Sequence, residues 1–104
     1  MKVIADLHIH SKYSRATSEQ MSLTEIAKYA KIKGLNLVGT GDFTHPAWLK
    51  EITDILTPEG DTGLYKLSNM DSPMRFMLQT EVCTIFDFKG ESKKVHHVIL
   101  TPWL

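Results

Sequence analysis

His8 and His10 stand two residues apart in the segment DLHIHS. In an extended chain, residues two apart project to the same side, so the two imidazoles converge on one point in space. Neutral imidazole nitrogen is a favoured ligand of zinc and other borderline cations, and a strand holds both rings without the entropy cost of ordering a loop. The run VIADLHIH reads as a buried strand with polar residues only near its end, a pattern that an incidental polar face does not require. A ligand pair at the end of a first strand sits where open and barrel α/β proteins place their chemistry.

Further candidate ligands follow at the ends of later segments. Asp42 closes VGTGD with His45 close behind, Glu81 lies in LQTEV, and His96 and His97 open HHVIL. Asp42 has a competing role as a cap for a helix beginning at Pro46. Glu81, set among apolar residues, would be costly to bury without a metal or a basic partner. His96 and His97 face opposite ways on a strand, so only one should reach a shared site. His45 is equally well a turn residue. This mixture suits two or three divalent cations, Zn, Mn or Mg, with a carboxylate bridging two of them and a water between them made nucleophilic near neutral pH. A phosphate ester is the natural substrate. Ser11, Lys12, Ser14 and Arg15 directly follow the histidines, where the Arg15 guanidinium could clasp a phosphate bidentately; the alternative is a solvated basic loop.

The elements that would position these groups are legible in outline. Val3 to His8 reads as a strand and Ser11 to Gln20 as a polar connection. Ser22 with Glu25 forms a capping box, Leu23, Ile26, Ala27 and Ala30 recur at helical spacing, and Gly34 suits a left-handed C-terminal cap. Leu35 to Thr40 reads as a second strand, completing a parallel β-α-β unit. Pro46 begins a second helix with Leu49, Ile52 and Ile55 or Leu56 inward and Thr57-Pro58 as its stop. Thr57 to Pro73, rich in Gly, Pro, Asp and Ser, reads as a long surface loop. Arg75 to Phe86 and Val95 to Thr101 are strands joined by DFKGESKK.

The 104 residues correspond to one small domain, shorter than most α/β barrels. Twelve basic residues balance twelve acidic ones, so a polyanionic substrate would be held by local features such as metals rather than by bulk charge. The single cysteine, Cys83, excludes an internal disulfide, suits a reducing cytosol and lies in an apolar run that favours burial. No leader pattern and no apolar run of spanning length is evident, which points to a cytoplasmic protein without a membrane partner. The chain stops directly after a strand, as a cut through a larger domain would, and an uncovered sheet face would also allow self-association.

DLHIHS, a β-α-β unit ending in VGTGD, then TEV, then HHVIL together resemble the PHP family of metal-dependent phosphoesterases. The longer stretches DLHIHSKYSRATSEQMSL, KGLNLVGTGDFTHPAW and VHHVIL resemble its endonuclease Q branch, whose PHP domain nicks DNA on the 5′ side of deaminated bases. The resemblance implies an α/β fold in which residues 1–104 supply the first half of a distorted (β/α)7 barrel. It implies metal ligation by His8, His10, Asp42, the bridging Glu81 and His97, with His96 as the fallback. Many members carry a histidine directly after the motif aspartate, where this chain has Phe43 and a histidine only at His45. Further ligands of the family would lie beyond Leu104. Two other readings compete: a phosphatase of a small phosphorylated metabolite, and a truncated metal-binding domain without catalysis. DNA would be a partner through the parent protein.

Overall fold

The computed structural model describes residues 2–13 and 22–103. In chain order they form β1 (Ala5–Asp6), α1 (Leu23–Ile32), β2 (Leu37–Gly39), α2 (Pro46–Ile55), β3 (Leu56–Pro58), β4 (Tyr65–Leu67), β5 (Arg75–Phe88) and β6 (Glu91–Thr101). The result is a mixed α/β fold with one six-stranded sheet. β1, β2 and β5 are parallel neighbours, with Asp6 opposite Val38 and Val38 opposite Phe76. β4 adds antiparallel to β5, and β3 to β4. β6 pairs antiparallel with the distal part of β5 from Leu78 to Phe88.

α1 forms where the spacing of its apolar residues and its caps agree. The Ser22 side chain accepts from Glu25 N, and the chain leaves the helix through Gly34 at φ 78°. Gly34 N donates to Lys31 O at 3.1 Å and Leu35 N to Ala30 O at 2.9 Å, the paired bonds of a Schellman ending. Leu23, Ile26, Ala27 and Ala30 are buried, each large apolar side chain contributing on the order of 1.5–3 kcal/mol. They pack with Val38, Trp48, Ile52, Phe76 and Leu78 into one core.

α2 begins at Pro46 as expected, but its inward face is led by Trp48 and Ile52, and Leu49 is only half-buried. Trp48 wins the core position because its indole N–H can donate to Thr40 O at 3.0 Å, which satisfies its one polar atom in the interior.

Four other expectations are corrected. The first strand is confined to Ala5–Asp6, with Val3 and Ile4 exposed, because β2 offers only the short stretch from Leu37 as a partner. Thr57 to Pro73 is not one loop: Thr57 and Pro58 complete β3, and Tyr65 and Leu67 carry alternate side chains from β4 into the core. The connection DFKGESKK collapses to the two-residue turn Lys89-Gly90, both at positive φ, and the remainder joins the ladder. Cys83 is exposed, because the ribbon of β5 and β6 runs outward beyond the core at this point.

No helix among the described residues is long and apolar enough to cross a membrane.

Gly34→Ala places a Cβ in open space at a left-handed position, so its effect isolates backbone strain. We expect a loss of about 1 kcal/mol, read as a lower urea midpoint at unchanged slope. An unchanged midpoint would show that α1 does not depend on this ending.

Candidate metal centre

Two loops meet over the middle of β5. One leaves β1 and carries Leu7 to Ser11; the other leaves β2 and carries Thr40 to Asp42. The fully buried Gln79 fastens them together. Its Oε1 accepts from Ile9 N at 3.2 Å and from Gly41 N at 3.1 Å. These two donors fix the amide orientation, because the reverse would set its NH2 group against two N–H groups. Gln79 Nε2 has no partner among the described residues. Thr40 closes the arrangement through its hydroxyl, which receives Gln79 N at 3.2 Å. A Cβ on Gly41 would lie 2.8 Å from Ile9 O, so only glycine permits the loops to touch at this φ of 68°.

This contact delivers three ligand-type side chains to one place. One ligand atom each from His8, His10 and Glu81 lies within 4.8 Å of the others. His8 Nε2 is hydrogen-bonded to Glu81 Oε2, and His10 Nε2 is 3.4 Å from the same oxygen. Two ligands held at about 2.1 Å from a tetrahedral cation stand about 3.4 Å apart, so the donor set and its spacing fit zinc or a similar ion. The other carboxylate oxygen, Oε1, faces His96 Nδ1 at 2.6 Å. Glu81 is held below the ordinary carboxylate range, first by the hydrogen bond from His8 and further by His96, against a burial effect of opposite sign.

Asp42 does not join the group of three. Its Oδ2 accepts from both Ser11 N and Ser11 Oγ at 2.7 Å, and its Oδ1 stands 3.6 Å from His10 Nδ1. Nor is it the helix cap, since His45 occupies that position. The His45 ring stacks on Tyr13 at 4.5 Å and 14°, and so serves the loop rather than the cluster. Glu51, which sequence reasoning missed, receives both Lys12 Nζ at 2.6 Å and Tyr13 Oη at 3.0 Å. It raises the pKa of both groups by hydrogen bonding to their protonated forms.

Strand register decides between the adjacent histidines. His96 pairs with Cys83 and His97 with Val82. Glu81 shares a face with Cys83, so His96 reaches it and His97 lies on the opposite face, the reverse of the expected choice. Arg15 and Ser14, expected to meet a phosphate, lie outside the described residues. Gln79 was also missed; the signal available was a polar residue in the otherwise apolar run FMLQ.

No protein-family profile matches the chain. An uncharacterized protein of Methanocaldococcus jannaschii is 39% identical over 97 residues, covering 93% of this chain and 9% of that protein. The crystal structure of the lesion-specific endonuclease PfuEndoQ from Pyrococcus furiosus superposes with a TM-score of 0.66 at 46% identity, over 76% of this chain and 18% of that one. Endonuclease Q bound to a 27-mer duplex with an abasic lesion at its active site gives the same TM-score and identity, over 76% of this chain and 19% of that one. The chain thus spans less than a fifth of the length of each of these relatives.

Replacing Gln79 by Leu preserves bulk but orphans Ile9 N–H and Gly41 N–H. We expect a loss on the order of 1–3 kcal/mol for each amide left without a partner, measured by urea unfolding. A loss under about 0.5 kcal/mol would show that Gln79 does not hold the loops together.

Proposed function

We propose that this chain carries the first ligands of a two-metal phosphoesterase centre of the PHP type, in an endonuclease that cuts DNA at damaged or deaminated bases. The observation that carries this reading is the division of Glu81, with Oε2 toward His8 and His10 and Oε1 toward His96. Divalent cations here would be held by His8, His10 and the shared carboxylate of Glu81, with His96 available at its other oxygen. Divalent ions there would supply a nucleophilic water near neutral pH and positive charge for the phosphoryl oxygens. The chain's own part is to hold the imidazoles and carboxylate in register. Gln79 and Gly41 do this from beneath by joining the two loops. The choice of DNA over a small metabolite is supported by the likeness to the lesion-specific endonuclease and to the duplex complex, at 46% identity. In this reading the sheet is the first part of the family's barrel, and the rest of the catalytic and DNA-binding groups belong to other parts of the protein.

Calorimetry with zinc or manganese on the wild-type chain and on the double variant His8→Ala with His10→Ala tests the centre. Binding by the wild type and at least a tenfold weaker affinity in the variant is expected. Unchanged affinity would eliminate the site. On a duplex containing uracil or an abasic position, with manganese or magnesium, the 104-residue chain should show little cleavage, since part of a metal cluster cannot orient both water and leaving group. Metal-dependent turnover lost in His10→Ala would show instead that these residues suffice.

A further inference from the structure

We propose that Asp42 is a positioning residue that fixes the tautomer of His10, and that it does not itself ligate the cation. This rests on the reading of His8, His10 and Glu81 as a metal centre. The two carboxylate oxygens of Asp42 have separate tasks. Oδ2 is engaged by two donors from Ser11, the backbone N–H and the hydroxyl, both at 2.7 Å. Oδ1 is turned toward His10 Nδ1 at 3.6 Å, while the opposite ring nitrogen, Nε2, faces Glu81 Oε2 at 3.4 Å.

An imidazole that ligates through Nε2 must carry its proton on Nδ1, and that proton needs an acceptor. Asp42 Oδ1 is placed to be it. The separation of 3.6 Å is that of an ion pair, and a ring shift of less than about 1 Å brings it within hydrogen-bonding range. The backbone supports this role. Asp42 has φ 42° directly after Gly41 at φ 68°, and two successive left-handed residues fold the segment back against Ile9 O and His10 Cα. A left-handed non-glycine residue is unfavourable by about 1 kcal/mol or more, which the bonds from Ser11 offset. The strained conformation keeps the carboxylate behind the ring of His10.

Asp42→Asn is the discriminating variant. The Ser11 N–H must be met by the carbonyl oxygen of the new amide, which leaves its NH2 group facing His10 Nδ1. A donor there forces the proton to Nε2, the nitrogen a cation requires free. The measurement is the 15N spectrum of histidine-labelled, metal-free protein near pH 8 in a Glu81→Ala background, which removes the carboxylate that faces Nε2 at 3.4 Å, with His10 assigned through His10→Gln. With Asp42 in place and Glu81 removed, His10 should show the Nδ1–H form, although a free histidine side chain favours Nε2–H. Adding Asp42→Asn to that background should switch His10 to Nε2–H, and Asp42→Asn in the otherwise wild-type chain should bind zinc about 10–100-fold more weakly. Ser11→Ala, which retains the backbone N–H, should keep the Nδ1–H signature.

An Nε2–H signal in the Glu81→Ala protein with Asp42 intact would overturn the proposal. An Asp42→Asn protein that stays Nδ1–H yet loses zinc would overturn it in favour of direct ligation. A tautomer switch in a protein whose wild type binds no zinc would support the Asp42 role and contradict the metal centre, so the two failures are distinct.

Discussion

The site depends on a single buried amide oxygen. Gln79 Oε1 accepts from one loop at Ile9 and from the other at Gly41, and so fixes the separation of the segments that carry His8, His10 and Asp42. Buried backbone donors must be met, and at this place no strand continues to meet them: β1 ends at Asp6 and β2 at Gly39. The side chain thus takes over the function of the ladder. Gly39 and Gly41 are the counterpart of the same constraint. A Cβ at Gly39 would lie 2.6 Å from Gln79 Oε1, and one at Gly41 would strike the facing loop.

The site also marks a boundary along β5. Leu78, Gln79 and Thr80 are buried, and exposure begins at Glu81 and rises outward to 63% at Ile85. The ribbon of β5 and β6 accounts for the elongated form, with a radius of gyration of 15.0 Å where a compact chain of this length would have about 13 Å. Phe86, Phe88, Val95 and Ile99 are exposed along it. A two-stranded ribbon bearing this much apolar surface is marginal in water by itself. Glu81 is therefore the last residue of β5 whose position the core controls, and it is the residue on which the three histidines converge.

Much of the fold was legible because local and long-range preferences agreed. Ser22, Gly34 and Pro46 are capping or starting residues whose chemistry is local, and both helices begin where they indicate. The hairpin of β3 and β4 was hidden because its strands have three residues each and its turn is rich in Gly and Asp, a composition shared with long loops. The choice of His96 over His97 depends on which residue of β6 faces Glu81, a register that two adjacent histidines cannot disclose. His8 and His10 were recognisable through their spacing, although the backbone there is a loop. Convergence comes from the Gln79 contact rather than from the alternation of a strand. The partition of Asp42 between Ser11 and His10 had no sequence signal, since it arises from a left-handed backbone that an aspartate after glycine permits without requiring.

The most direct measurement is X-ray absorption at the zinc edge of the zinc-loaded chain. The account predicts a first shell near 2.0–2.1 Å that includes two imidazoles, identified by their outer-shell scattering, together with at least one carboxylate oxygen. A shell of oxygen atoms alone, with no imidazole scattering, would contradict a centre built on His8, His10 and Glu81.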